Sequence, residues 1–139
     1  MSSPYESANL ILRLYELRRE PTMREARNWY VRSFHPASGD EVLQTLGGPN
    51  SAHFRMVTSY WDMACSFVVN GAIDEKMFLD ANGEQNVIYA KIEPYIDAYR
   101  AAISPTAFVS LERVVMKTPD AKARMAMLRE RFRAMAPAK

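Results

Sequence analysis

Helix-start signals recur along the whole chain. The first backbone N–H groups of a helix have no partner within it, and a Ser, Thr or Asn side chain placed just before the helix can accept a hydrogen bond from one of them. Ser3-Pro4-Tyr5-Glu6 is a capping box with proline at the first helical position. Further helix starts are predicted at Thr22, Ser38 and Asn82, and at the pairs Ser104-Pro105 and Thr118-Pro119. These signals divide the chain into helices.

The periodicity of the apolar residues agrees with this division. Apolar residues recur at spacings of three and four, and no segment sustains the alternation of a half-buried β-strand. We therefore predict an all-α fold, a single-domain antiparallel-type helical bundle of about five to six long helices plus short ones, over residues 1–139. The predicted helices run from Pro4 to Arg19, Thr22 to Phe34, Asp40 to Leu46, Ser51 to Asn70, Asp74 to Asp80, Glu84 to Ile103, Pro105 to Lys117 and Pro119 to Ala136.

The segment from Ser51 to Asn70 is the predicted centre of the core. On a helical projection its polar side chains fall on one narrow strip, and its apolar side chains cover most of the remaining circumference. Gly71 follows as a residue able to adopt the left-handed conformation that ends a helix. In the segment from Glu84 to Ile103, Pro94 lies opposite the apolar stripe and is predicted to kink one long helix, with Lys91 outside the stripe.

The composition is that of a folded globular domain. Hydrophobic residues make up 48% of the chain and charged residues 24%, and an aromatic content of 11% argues against intrinsic disorder. The most apolar run, Met63 to Val69, is too short to span a bilayer, and the N-terminal residues lack the pattern of a secretory signal. Cys65 is the only cysteine, which rules out an intrachain disulfide and fits a reducing compartment. We therefore expect a cytoplasmic protein without a membrane segment.

The charges are unevenly distributed. Between Asp40 and Asp97 there are nine acidic and three basic residues, whereas between Arg113 and Lys139 there are eight basic and two acidic residues. Such asymmetry points to self-association, to an acidic partner or to nucleic-acid binding through the basic C-terminal helix. A solvated basic helix face is the simpler interpretation, so nucleic-acid binding is the less favoured function.

The residue types that usually carry chemistry are scattered. His35, His53 and Cys65 form none of the metal-binding spacings such as HxxxH or CxxC. On a helix, Asp62 lies two turns or more from His53, which argues against a catalytic triad with Ser51. The sequence therefore predicts no catalytic residue, no metal site and no cofactor.

Four short motifs follow one another between Phe54 and Met116. They are Ser59-Tyr60-Trp61-Asp62, Asn70-Gly71-Ala72-Ile73-Asp74, Tyr99-Arg100, and Ser110-Leu111-Glu112 after Ser104-Pro105. This pattern resembles an uncharacterised family of small bacterial all-helical proteins, a domain of unknown function. The resemblance implies a helical fold and supplies no activity. In that family the acid after the aromatic pair is more often glutamate, so Asp62 departs from the pattern by one methylene group.

Three polar residues are candidates for an interhelical cluster: Asp62, Arg100 and Glu112. Glu112 shares a helix face with Phe108 and Leu111, and a half-buried carboxylate needs a partner. Arg100 lies at the edge of its helix's apolar stripe, from which its guanidinium group can reach between helices. We therefore predict that Asp62 or Glu112 pairs with Arg100, and that this ion pair sets the register of the helices rather than binding a ligand.

A non-enzymatic interaction or structural module is the function that these features favour. Such a module would self-associate as a homodimer, through the Met-rich C-terminal helix or through the N-terminal helix with Leu10, Leu14 and Leu17.

A small-ligand receptor or an enzyme is the alternative. It would have a pocket near Trp61, Tyr95, Tyr99 and Arg100, because indole, phenol and guanidinium groups lie there close to one core.

Overall fold

The computed structural model describes residues 2–136, which form nine α-helices and one short 3-10 helix. The α-helices are α1 (Pro4–Arg18), α2 (Pro21–Ser33), α3 (Gly39–Leu46), α4 (Ser51–Val69), α5 (Glu75–Ala81), α6 (Glu84–Ala90), α7 (Ile96–Ala102), α8 (Val109–Val115) and α9 (Ala121–Ala134), and the 3-10 helix spans Glu93–Tyr95. Across these residues there is no strand, and no helix is both long enough and apolar enough to cross a lipid bilayer. The predicted all-α bundle is confirmed.

Helix α4 lies at the centre of the bundle. It packs most extensively against α2 and α8, and it also contacts α3, α5 and α6. Its side chains Phe54, Trp61 and Cys65 are fully buried, whereas Arg55 and Ser59 on the predicted polar strip are exposed. Burial of one large apolar side chain stabilises a fold by about 1.5–3 kcal/mol, so a helix that is enclosed on several sides contributes a large share of the core.

The capping predictions at α1 and α3 are confirmed. The Ser3 hydroxyl accepts a hydrogen bond from the backbone N–H of Glu6 at 3.1 Å, and the Glu6 carboxylate accepts one from the N–H of Ser3 at 3.0 Å. At α3 the Ser38 hydroxyl accepts from the N–H of Glu41 at 3.2 Å. Both helix starts could be predicted from the local sequence, because the hydrogen-bonded residues lie within three positions of each other.

Gly71 ends α4 as predicted. Its φ angle of +80° is in the left-handed region, and nothing lies within 4 Å of the position that a Cβ atom would occupy. The N–H of Gly71 donates to the carbonyl of Val68, and the N–H of Ala72 donates to the carbonyl of Phe67 at 2.8 Å. This pair of bonds is the Schellman motif, which pairs carbonyl groups in the last turn of the helix.

The capping residues predicted at Thr22 and Asn82 are wrong, although both helices begin within one residue of the predicted positions. Helix α2 begins at Pro21, and the Glu20 carboxylate accepts from the N–H groups of the second and third helical residues at 3.1 and 3.0 Å. The helix begins one residue earlier than predicted, because proline is favoured at the first helical position, where a backbone N–H would have no partner within the helix. At α6 the capping residue is Gly83, which has no side chain to cap with.

The starts predicted at Ser104-Pro105 and Thr118-Pro119 are also too early. After each proline the chain makes a turn, and α8 and α9 begin at Val109 and Ala121. The turn before α8 ends at Phe108, whose φ angle of 58° lies in the left-handed region that a non-glycine residue rarely adopts.

Pro94 breaks the long helix predicted from Glu84 to Ile103, rather than kinking it. Helix α6 ends at Ala90, and α7 begins at Ile96 after the 3-10 helix. The proline has no N–H to donate to the carbonyl of Ala90 four residues earlier, and its ring would clash with that carbonyl. The guanidinium Nη1 of Arg129 on α9 donates to the Ala90 carbonyl instead, at 2.8 Å.

We expect Gly71→Ala to destabilise the fold by about 1–2 kcal/mol, because a Cβ atom makes the left-handed conformation unfavourable. Gly47→Ala is the matched control, since Gly47 also ends a helix but has an ordinary φ angle of −100°. Urea unfolding followed by circular dichroism measures both changes. Equal midpoints for the two variants would show that the left-handed conformation of Gly71 is not required.

Candidate functional site

Arg100, Glu112 and Tyr89 join three helices through one polar contact. The guanidinium Nη2 of Arg100 lies 3.0 Å from Oε1 of Glu112, and Nη1 lies 3.4 Å from Oε2. The Tyr89 hydroxyl donates to Oε2 of Glu112 at 3.1 Å, and Nε of Arg100 donates to the carbonyl of Ala107 at 2.9 Å. The pair therefore links α7 to α8 and, through the phenol, to α6.

Tyr89 is held in its protonated form. Burial, and next the charge of the Glu112 carboxylate, raise the pKa of the Tyr89 phenol well above its ordinary value. A phenol in this state donates a hydrogen bond and does not act as a base near neutral pH. The arrangement suits a structural contact between helices.

Asp62 does not join this pair, although it lies on the neighbouring helix. Its Oδ1 accepts a hydrogen bond from the backbone N–H of Leu111 at 3.0 Å, in the first turn of α8. The residue that precedes α8, Phe108, provides no side-chain cap. Asp62 therefore caps α8 from α4, across 49 positions of sequence. Of the three predicted polar residues, the structure pairs Arg100 with Glu112 and gives Asp62 a separate partner.

Trp61, Tyr95 and Tyr99 have different surroundings. The Trp61 indole is buried and donates through Nε1 to Glu84 at 2.9 Å. The Tyr95 hydroxyl donates to the Pro36 carbonyl at 3.2 Å.

Tyr99 packs its ring against Phe54 and Phe108, at centroid distances of 6.2 and 5.1 Å. The three aromatic side chains therefore have separate partners.

Arg27 and Glu84 form an ion pair that the sequence analysis missed. Nε of Arg27 lies 2.8 Å from Oε2 of Glu84, and Nη2 lies 3.0 Å from Oε1, so the contact is bidentate. The Trp61 indole donates to the same Oε2 atom. Glu84 is the first residue of α6, where the positive end of the helix dipole favours a carboxylate. Nothing in the local sequence points to Arg27, because the two residues are 57 positions apart.

Lys91 is the second polar group that sequence reasoning missed. It was predicted to lie outside the apolar stripe, but it is only 3% exposed. Its ammonium Nζ donates to the carbonyls of Tyr30, Val31 and Phe34 at 2.6, 2.7 and 2.9 Å, at the C-terminal end of α2. The prediction was wrong because the break at Pro94 ends the helix on which the projection was based.

Two sets of interactions act on the pKa of the Lys91 amine in opposite directions. Burial, and next the charge of Arg133, lower the pKa of the Lys91 amine. The three carbonyl groups favour the ammonium form, because a neutral amine has two protons and cannot donate to three acceptors. The negative end of the α2 dipole acts in the same direction as the carbonyl groups.

An apolar groove lies between the end of α1, the start of α2 and the middle of α4. Its volume is about 510 Å³, and it is lined by Leu17, Glu20, Met23, Met56, Ser59, Tyr60 and Met63. Leu17 is 50% exposed and Met63 is 38% exposed, so large apolar side chains face solvent here. Contiguous exposed apolar surface of this kind often marks an interaction site.

The histidines and the cysteine lie apart. His35 contacts the carbonyl of Arg32 through Nε2 at 2.9 Å, and the His53 ring lies 5.9 Å from the ring of Trp29. Cys65 is fully buried, and burial raises the pKa of its thiol to about 12, which leaves it protonated and a poor nucleophile. Within residues 2–136, no group of three or more His, Cys, Asp or Glu side chains is placed to hold a metal ion.

The comparisons with known proteins gave one match. A family model described as a domain of unknown function (DUF4760) matches residues 5–118. The match confirms the resemblance to an uncharacterised family and extends it well beyond Phe54 to Met116. It ends before α9 begins. No curated protein and no solved structure matches the chain.

We expect Lys91→Met to destabilise the fold by about 2–3 kcal/mol, because the thioether keeps the apolar stem and leaves buried carbonyl groups without their donor. Lys76→Met is the control, since Lys76 is exposed and pairs with Asp80 on the surface of α5. Urea denaturation at neutral pH measures both. A Lys91 variant as stable as the control would mean that water replaces the ammonium group at no cost.

We expect Asp62→Ala to destabilise the fold by about 1 kcal/mol, because the first turn of α8 loses its cap. Asp62→Asn keeps an oxygen that can accept from the Leu111 N–H, so its effect is expected to be much smaller. Thermal and urea unfolding of the two variants would distinguish a cap from an ion pair. If Asn is as harmful as Ala, the negative charge of Asp62 matters rather than its hydrogen bond.

Proposed function

Because the chain belongs to the DUF4760 family, a domain of unknown function, we propose a function from its geometry: a non-enzymatic interaction module that self-associates as a homodimer. The main observation that supports this proposal is the apolar groove beside the end of α1. On the same side of α1, Leu10 and Leu17 stand two turns apart and are 36% and 50% exposed. We call the groove together with Leu10 the α1 face.

The α1 face carries both a projection and a recess. Leu10 is a projecting side chain, and the groove around Met56 and Met63 is a recess with flexible apolar walls. A two-fold dimer requires a surface that is complementary to itself, so that each copy offers the same projection to the same recess. We therefore propose a second copy of this chain as the occupant of the groove, with Leu10 entering the groove of its partner.

The structure supports α1 over the C-terminal helix as the location of this interface. Met125 of α9 is fully buried, and Leu128 and Phe132 are partly buried, so most of the apolar stripe of α9 is used within the chain. Leu14 of α1 is likewise buried and takes no part in the proposed contact. Met127 and Met135, in and just after α9, are exposed as well, but α1 carries five of the exposed large apolar side chains of residues 2–136: Tyr5, Leu10, Leu12, Tyr15 and Leu17.

The polar residues also support a non-enzymatic function. Arg100 and Glu112 bond to each other and to neighbouring groups, which leaves little capacity to bind a substrate. A cytoplasmic location in a bacterial cell is part of the proposal, and it is supported by the resemblance and by Cys65, a lone reduced thiol. A ligand pocket at Trp61 and nucleic-acid binding by α9 remain less favoured alternatives.

We expect the purified protein to dimerise with rising concentration, and Leu10→Glu and Met63→Glu each to shift it to a monomer. A buried unpaired carboxylate in the apolar contact would weaken association by several kcal/mol. Leu12→Glu is the matched control, because Leu12 is 59% exposed and lies on the opposite flank of the same helix. Size-exclusion chromatography with light scattering measures the mass, and circular dichroism checks the fold. A wild-type protein that is monomeric at several hundred micromolar would overturn the proposal, and so would loss of the dimer in all three variants alike.

A further inference from the structure

A small cleft lies between the C-terminal end of α2 and α9, and most of its walls are basic. It is lined by His35, Pro36, Lys91, Arg129 and Arg133. Its volume is about 10 Å³, the space of roughly one water molecule. One oxygen atom of a larger group can therefore enter while the rest of the group stays at the mouth.

The positive charge around this cleft is only partly balanced. Glu93 is the one carboxylate of the described residues that pairs with a cleft side chain, and its Oε1 lies 3.4 Å from Nη1 of Arg129. The ammonium group of Lys91 is buried beside the cleft and is held by carbonyl groups, which carry no net charge. Burial, followed by the charges of Lys91 and Arg133, lowers the pKa of His35. These groups would be stabilised by a negative charge between them.

The two arginines have hydrogen-bond donors to offer. Arg129 uses Nη1 to hold the Ala90 carbonyl, which fixes its guanidinium group while Nε and Nη2 make no hydrogen bond within residues 2–136. The side chain of Arg133 is exposed at the mouth and makes no hydrogen bond to the described part of the chain. The planar fork of a guanidinium group matches the oxygens of a phosphate group.

We propose that this cleft binds a phosphate-type oxyanion, with Arg129 and Arg133 as its donors and Lys91 as a buried positive charge. Lys91 contributes its electric field rather than a hydrogen bond, since all three of its protons are already donated to carbonyls. Both arginines lie on α9, beyond the residues that the family model matches, so the site depends on this chain's own C-terminal helix.

The pKa of His35 can be used to detect an oxyanion bound in the cleft. Its Nε2 contacts the Arg32 carbonyl, which can only accept, so Nε2 carries a proton and Nδ1 is the nitrogen that titrates. A bound oxyanion offsets the charges of Lys91, Arg129 and Arg133 and therefore raises the pKa of His35. The other histidine of the chain, His53, does not line the cleft and serves as an internal reference.

The test is an NMR titration of the two histidine rings with inorganic phosphate, at constant ionic strength set by chloride. We expect a saturable rise in the pKa of His35, none for His53, and at least about a tenfold weaker affinity in Arg133→Gln. Arg131→Gln is the control, because this exposed arginine lies two positions earlier and on another side of α9, and it should bind as the wild type does. A parallel titration with glycerol phosphate distinguishes the two sources of the group, since tighter binding than inorganic phosphate would indicate a phosphorylated small molecule.

The proposal is overturned if phosphate produces no saturable change at His35 beyond that of chloride. It is equally overturned if Arg133→Gln binds phosphate as tightly as the wild type and the Arg131→Gln control do, because the shift would then reflect general screening of charge. A phosphate-dependent change of the same size at His53 would likewise indicate general screening of charge and would overturn the proposal.

Discussion

Helix α4 is apolar around most of its circumference, and this single property organises the bundle. Such a helix is stable in water only if other helices cover it on several sides, and α2 and α8 provide the largest contacts. The fully buried Phe54 and Trp61 show how completely it is enclosed. Four of the remaining helices, α5 to α8, have only seven residues each. Their stability depends on packing against α4 and its neighbours more than on their own propensity.

Many short helices create a second requirement, because each end leaves backbone groups without partners. In this protein side chains from distant segments meet that requirement: Asp62 for the N–H of Leu111, Lys91 for the carbonyls of Tyr30, Val31 and Phe34, and Arg129 for the carbonyl of Ala90. Each of these charged groups fixes one helix end relative to another helix. The functions that we propose lie on the surface of the bundle.

The two proposed sites lie on different helices and have opposite chemistry. The α1 face is apolar and exposed, with Leu10, Leu17 and Met63 towards solvent. The cleft beside α9 is basic and small, with a buried ammonium group behind it. The proposed dimer contact does not involve α9, and the proposed anion site does not involve the α1 face.

Local signals in the sequence are enough to predict the helical class and the ends of several helices. The Ser3 capping box, Ser38 and the glycine at position 71 were read correctly because their partners lie a few residues away. The periodicity of α4 also identified the centre of the core, because it depends on spacing along one helix. The contacts of Lys91, the capping of α8 by Asp62 and the pairing of Arg27 with Glu84 depend on the packing of the helices. These contacts join residues that lie 49 to 61 positions apart in the sequence. The spacing of residues along one helix does not predict such contacts, because they depend on the break at Pro94 and on how the helices pack around α4.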